Sequence, residues 1–435
     1  MYKAIRILTL LFVFLIPWQA RWIIVPGELN GAYWEYATRS LYATELIFFA
    51  FVALLLAAVF YRMRKHAGFI SWKRIFVSTG GLVTLFVLWV FASVLWSVDA
   101  GVALEHAVLL IEGIVLIGII GSGIVSLEYI VWTVIASAFL QAGLGLVQFF
   151  TQSIPPSTLF GIAAQDPARL GVSVVETASA RWLRAYGSFP HPNMLGGWLV
   201  AGIVALWYET LSLRDLCGSF VKKCAIRYLN RFLILFVVVF CLLSTFSRSA
   251  YLAGAIFIVC AALLHGYQKK YRVVVSVFLL SVMFATALFG LLYHDILSSR
   301  IAGSSELDAR AGEERISYLD ESKTLFVGSP IIGYGIGNEG LAVHQYIDST
   351  RDAWSYQPVH NVGVLLVVEL GIVGLLIVLG IVWDGLRRIG SIVDLLPLIP
   401  IVIIGAFDHY LLTLYPGVLI GGVVIGIFLL RLSKK

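Results

Sequence analysis

With 60% of its 435 residues hydrophobic, 13% charged and a mean hydropathy of +0.93, the chain falls outside the range of soluble globular proteins. Its formal charge of +6 shows no basic stripe interleaved with aromatics, which excludes a nucleic-acid-binding reading. The apolar runs are continuous over about 16–25 residues, so helices rather than alternating barrel strands are the spanning element expected.

In chain order, twelve runs are long enough to cross a bilayer, centred near Val13, Val52, Phe86, Val115, Ala136, Val200, Phe236, Ile256, Phe278, Val367, Ile403 and Val423. The first follows Lys3 and Arg6 and ends at Trp18-Gln19-Ala20. A bulky Trp18 at the third position before a cut after Ala20 does not suit signal peptidase, so this run is kept as a helix. Basic residues collect in short cytoplasmic loops. With the N-terminus inside, Lys3, Arg6, Arg62, Arg64, Lys65, Lys73, Arg74, Arg214, Lys222, Lys223, Arg227, Arg231, Lys269, Lys270, Arg272, Arg387, Arg388, Arg431, Lys434 and Lys435 all fall on the inner side. These are 20 of the 31 basic residues. The expectation is an all-α polytopic membrane protein, a single transmembrane domain over residues 1–435, with about twelve helices and both termini in the cytoplasm.

Two outer segments are long, residues 151–192 and residues 294–358, the second lying between helices nine and ten. The second holds a predicted amphipathic helix from about Glu306 to Phe326, with Ile316, Leu319 and Phe326 facing membrane or protein and Glu313, Asp320 and Lys323 facing water. Gly328, Pro330, Gly333, Gly335 and Gly337 then close it in a tight turn. Cys217, Cys224, Cys241 and Cys260 show no metal-binding spacing and are expected to be reduced. No internal repeat and no paired discontinuous helices of the transporter kind stand out.

The residues able to carry chemistry gather on the outer side. His360 lies at the lip of a helix, where an imidazole titrating near ~6.5 can take a proton from an incoming hydroxyl. A lone histidine there is more often a cap. Tyr356, Pro358, Asn361 and the intramembrane Glu369 favour the functional reading, because Glu369 needs a polar partner or a cavity. Arg248, in Ser247-Arg248-Ser249, joins two apolar segments with almost no loop and either faces a cavity or snorkels to lipid phosphates. Arg184 precedes Tyr186-Gly187-Ser188-Phe189-Pro190-His191-Pro192-Asn193, in which Asn193 is expected to cap the next helix and His191 is a plausible ligand contact. Arg315, in Glu313-Glu314-Arg315, reads alone as part of a solvated charge pattern. Asp408-His409-Tyr410 closes the set, either orienting a substrate or forming a helix-end cluster. Converging arginines suit a diphosphate, since guanidinium forks bind phosphate oxygens bidentately and neutralise a pyrophosphate without a metal. The acidic residues of the second outer segment show no calcium-loop spacing, so no metal is expected.

The order of these motifs resembles the O-antigen ligase and polymerase superfamily: Arg184 with Gly187 to Asn193, Ser247-Arg248-Ser249-Ala250, Arg315 ahead of Pro330-Ile331-Ile332-Gly333-Tyr334-Gly335-Ile336-Gly337-Asn338, then His360-Asn361 with Leu365, Glu369, Leu370, Gly371 and Gly374. The likeness runs from about Arg184 to Tyr410. It implies a GT-C-type glycosyltransferase of the bacterial inner membrane, active on the periplasmic side. Such an enzyme moves a glycan from undecaprenyl pyrophosphate to an acceptor hydroxyl, without a metal, cofactor or nucleotide sugar. By the same resemblance His360 takes the catalytic place, and Arg184, Arg248 and Arg315 the diphosphate contacts, with His191, Asn361, Glu369, Asp408 and His409 in support. Ligation to lipid A-core is the first expectation and polymerisation of lipid-linked repeats the second. A protein acceptor comes third, because the chain ends at Lys435 without the long extra domain common in that group. A transporter or flippase for an anionic lipid-linked substrate is the rival from another class.

Overall fold

The computed structural model describes residues 2–65, 79–177, 180–217, 224–303 and 305–433. Of the basic residues used for sidedness, Lys73, Arg74, Lys222, Lys223, Lys434 and Lys435 lie outside these. The helices are α1 Tyr2–Leu15, α2 Ala43–Lys65, α3 Thr79–Ser93, α4 Ala100–Gly121, α5 Leu127–Thr151, α6 Pro192–Cys217, α7 Ala225–Ser244, α8 Arg248–Gly266, α9 Arg272–Leu292, α10 His294–Ala302, α11 Glu306–Gly328, α12 Glu339–Tyr346, α13 Val362–Leu386, α14 Ile399–Phe407, α15 Tyr410–Thr413 and α16 Tyr415–Leu432. Eight helices among the described residues are long and apolar enough to cross a membrane, namely α4 to α9, α13 and α16, and shorter apolar helices run over 43–58, 80–93 and 392–407. The protein is a multi-pass membrane protein.

Burial is concentrated on α6, whose apolar window is 89% enclosed by its neighbours, against 28% for the run that includes α9. The central helix therefore starts at Pro192, immediately after His191. Small residues allow close backbone approach, the usual packing device where lipid removes the hydrophobic drive between helices. Helix α16 lies along α4 in this way, with a Cβ at Gly113 falling 2.7 Å from Val418 and one at Gly426 falling 2.8 Å from Ile120.

The connections at one end of the bundle form a layer. Strands β1 Arg21–Val25 and β4 Arg39–Tyr42 pair antiparallel around the short hairpin β2 Glu28–Leu29 and β3 Ala32–Tyr33, while β5 Val174–Glu176 pairs with β6 Arg181–Leu183. Trp34 Nε1 donates to the Tyr356 carbonyl (3.0 Å), and Asn338 Oδ1 accepts from the Asp99 backbone N–H (2.7 Å), so segments far apart in sequence are pinned together.

Helix α13 is broken at Gly371, which sits at φ 67°, ψ −175°. The freed backbone groups pair with the preceding loop. The Ile372 and Val373 N–H groups donate to the Pro330 and Ile331 carbonyls (2.9 and 3.3 Å), and those of Tyr334 and Gly335 donate to the Val368 and Glu369 carbonyls (3.1 and 2.9 Å). This explains the glycine-rich Pro330–Gly337 stretch, since a Cβ at Gly333 would stand 2.4 Å from the Glu369 carbonyl oxygen. Hydropathy gives no sign of this break, and irregular backbone at membrane depth is tolerated wherever protein satisfies its polar groups.

One expectation is refined and another changes. The predicted amphipathic helix forms as α11, with Asp308, Tyr318, Glu321, Ser322 and Leu325 buried against the protein and Ile316 and Leu319 exposed. The helix docks by a polar face, which hydrophobic periodicity does not register. Cys224 is disulfide-bonded, contrary to the expectation of reduced thiols, while Cys241 and Cys260 are free. Motif spacing gives no Cβ geometry, so it carries no information on such a pairing.

Candidate functional site

The turn between α7 and α8 organises the site. Phe246 adopts a left-handed φ of 48°, a strained position for a non-glycine residue. The turn thereby presents consecutive carbonyls to two arginines: Arg184 Nε donates to Thr245 (2.7 Å) and Arg300 Nε to Phe246 (3.2 Å). Ser247 caps α8, which places Arg248 at the first helical position on the same end. Arg248 and Arg300 converge on the buried carboxylate of Asp308 at the start of α11, with Arg248 Nη2 3.1 Å from Oδ1. Ser305 caps that helix through the Asp308 N–H, which fixes the carboxylate between the two guanidiniums.

A second chain of hydrogen bonds leads from Arg184 to the far side of the site. Arg184 Nη2 donates to Asn193 Oδ1 (2.7 Å), and Asn193 Nδ2 donates to Asp408 Oδ2 (2.8 Å). Asn193 is therefore a bridge rather than the expected cap. The His191 ring takes the capping role, its Nδ1 accepting from the Asn193 N–H (3.1 Å) while Nε2 meets Ser173 Oγ (3.0 Å).

His360 stands against this network. Its ring packs edge-to-face on His409, with centroids 4.8 Å apart, and lies parallel to Tyr318 at 6.0 Å. His409 is held by Thr413 Oγ1 at Nδ1 (2.7 Å) and by the Tyr36 hydroxyl at Nε2 (3.4 Å). The buried Nδ1 of His360, by contrast, has no hydrogen-bond partner. Arg315, one helical turn before Tyr318, makes no ion pair among the described residues, and its charge is felt by His360, His191, His409 and Asp408. Burial, reinforced by Arg315, lowers the His360 pKa to about 4. Burial holds His191 and His409 well below the usual imidazole value and pushes the Asp408 carboxyl up to about 6. It also lowers Arg184 to about 9, with nearby Arg300 acting in the same direction.

The structure thus brings Arg184, Arg248, Arg315, His191, His360, Asp408 and His409 together. Asn361 is at the edge: its Oδ1 caps α13 through the Val364 N–H (3.0 Å) and its Nδ2 donates to the Ala406 carbonyl (3.1 Å). Glu369 is elsewhere, buried against the Gly333–Gly337 turn, where the backbone of Gly337 and Glu339 faces its carboxyl. Its grouping with His360 is not seen, because nine residues of helix separate them by about 13 Å along the axis.

Two residues of the site had no signal in the sequence. Arg300 lies in a short polar helix with no motif around it, yet it completes a set of four guanidiniums. Glu339 is buried and accepts from Ser322 Oγ (2.5 Å) and the Val359 N–H (2.8 Å), fixing the backbone just before His360. Burial pushes its pKa to about 7. The ligand atoms of His360, Asp408 and His409 lie within 4.8 Å of one another. Of these three, His409 is bonded to Thr413 and Tyr36, and Asp408 to Asn193.

Residues 233–379 match the family model described as O-antigen ligase. Over this part, about a third of its length, the chain is similar to that family, which supports the O-antigen ligase and polymerase superfamily. The matched segment contains Arg248, Arg300, Arg315, Glu339 and His360 and ends before Asp408 and His409, while Arg184 and His191 precede it. No curated protein matches the chain.

Proposed function

We propose that the protein transfers a glycan from undecaprenyl pyrophosphate to an acceptor hydroxyl, with lipid A-core as the acceptor. The observation that carries this reading is the gathering of four guanidiniums, two of them without a carboxylate ion pair among the described residues, around a histidine whose buried Nδ1 lacks a partner. Arg184, Arg248, Arg300 and Arg315 hold the pyrophosphate, since their four positive charges exceed what Asp308 and Asp408 neutralise. They neutralise the leaving group as the bond from the anomeric carbon to the phosphate oxygen breaks. The His360 imidazole takes the proton of the acceptor hydroxyl as its oxygen attacks the opposite face of that carbon, inverting it. The pyrophosphate leaves with the bonding pair, and the imidazolium returns its proton to water or to that product.

Arg315 and burial keep His360 neutral, hence able to accept a proton, but a poor base while the site is empty. A bound pyrophosphate cancels the field of Arg315 and makes the imidazole more basic when it is needed. The arrangement we assign is a GT-C-type bundle of twelve crossings in the bacterial inner membrane, residues 1–435 forming one domain, with the site on the periplasmic side. Polymerisation of lipid-linked repeats uses the same chemistry with another acceptor and is the second reading.

The test is transfer by purified protein from an undecaprenyl pyrophosphate oligosaccharide to lipid A-core or to a lipid-linked repeat, with His360→Ala alongside. Product on lipid A-core that disappears in the variant is expected. Ladders of longer lipid-linked glycan would make the protein a polymerase. Unconverted donor with both acceptors would favour the transporter class.

A further inference from the structure

Beside the candidate site lies a cavity of about 540 Å³, between the N-terminal hairpin, the 151–192 segment and the start of α16. Its size is within the ~300–1,000 Å³ typical of small-molecule sites. It adjoins the catalytic cluster at three places. Pro190 lines it next to His191, Leu414 lines it next to the Thr413 that holds His409, and Glu35 lines it next to the Tyr36 whose hydroxyl meets His409.

The walls suit a sugar. Tyr33, Tyr186 and Phe189 offer aromatic faces, on which the apolar C–H face of a pyranose stacks. Among the described residues the Gln165 side chain has no hydrogen-bond partner, so its amide can give and accept one each, matching a sugar hydroxyl pair. The charge of the walls is equally telling. Arg21 is the one cation lining the cavity, and it is spent on Glu35 through two bonds of 2.6 and 2.9 Å. A smaller adjoining pocket of about 80 Å³ shares Arg21, Glu35 and Tyr42, and adds Glu45, Glu105 and Glu112. Glu112 is buried. A phosphorylated or carboxylated sugar entering the cavity meets a cation already paired with a carboxylate, which disfavours anionic ligands.

We propose that this cavity is the acceptor site and that it selects an uncharged sugar, whose hydroxyl it presents to His360. This rests on the transferase reading and narrows it: the anionic substrate is confined to the arginine side and the neutral one to the hairpin side.

The test uses the full-length protein in nanodiscs and saturation-transfer NMR with methyl glycosides of neutral glucose-, galactose- and rhamnose-terminated disaccharides, each also as its phosphate monoester. At least one neutral glycoside is expected to receive saturation from the wild type, falling five-fold or more in Gln165→Ala and Tyr33→Ala. Its phosphate should receive none until Glu35→Gln releases Arg21. Gln165→Ala removes only an unbonded side chain, so it remains informative if Tyr33→Ala fails to fold. The proposal is overturned if no neutral glycoside is saturated above the empty-nanodisc level, if the signal survives in Gln165→Ala, or if the phosphate binds the wild type equally well. Binding of undecaprenyl pyrophosphate to the same nanodiscs reads the arginine side separately. Glycoside binding without it would sink the transferase reading while leaving a neutral-sugar site.

Discussion

At the scale of single residues, the claims concern where protons and charges sit. Removing the base should lower transfer by about 100 to 10,000-fold in His360→Ala, the usual worth of general-base catalysis, while donor binding stays within about two-fold. Equal loss of donor binding would instead make His360 a structural prop. The pH profile separates His360 from its neighbours. With its pKa lowered to about 4, His360 itself should not limit kcat/KM until well below pH 6, and its limb in kcat, which reports the donor complex, should lie at a higher pH because pyrophosphate offsets Arg315. A limb near 6 in kcat/KM belongs to Asp408 and should vanish in Asp408→Asn. Coincident limbs near 6.5 in both profiles would refute this assignment. Asp308 gives a second measure, since it occupies the place of an anion between Arg248 and Arg300. Asp308→Asn leaves a partly buried Arg300 uncompensated and should cost on the order of 2 kcal/mol. Undecaprenyl pyrophosphate should then raise the melting temperature of the variant more than that of the wild type, because it supplies the missing charge. Equal shifts would place the phosphate away from these arginines.

At the scale of elements, α13 shows why composition was an incomplete guide. Its apolar run is continuous, so hydropathy finds one helix, while Gly371 breaks it and the Ile331 carbonyl approaches within what would be Cβ contact. A Cβ at Gly371 would stand 2.1 Å from the Ile331 oxygen at a φ that L-residues avoid. Gly371→Ala should therefore cost at least about 1–3 kcal/mol and lower transfer by moving Val359 and His360, whereas Gly385→Ala, which meets open space, should be near neutral. A melting temperature unchanged in Gly371→Ala would show that the break is dispensable. The same limit explains α11. Periodicity of apolar residues marked Ile316 and Leu319, yet the face that docks is Asp308, Tyr318, Glu321 and Ser322, held by polar contacts that no hydrophobic pattern encodes. Arg315 follows from this: it reads as one charge among many in sequence and becomes a site residue only because α11 packs by that face.

At the scale of the whole molecule, membrane character was legible because sustained hydrophobicity is a property of each segment by itself. The site was legible only where a motif is local, as at Arg184, Arg248 and His360. Arg300 and Glu339 depend on how α10, α11 and α12 meet α8 and α13, which is tertiary information. Sidedness is the remaining whole-molecule claim, and it follows from parity. If every apolar helix from α1 to α9 crosses the bilayer, nine crossings precede the 293–361 loop, and α13, α14 and α16 add three after it. The loop then lies opposite both termini. In otherwise cysteine-free protein, Thr350→Cys, at an exposed loop position, should react with a membrane-impermeant maleimide in intact spheroplasts, while Ser433→Cys should react only after permeabilisation. Labelling of both positions from outside would mean that one of the shorter helices, 392–407 foremost, dips into the membrane without crossing it. The active face would still be external in that case, because His360 and Thr350 share one loop, whereas protection of Thr350→Cys would reverse the protein in the membrane and remove the periplasmic assignment.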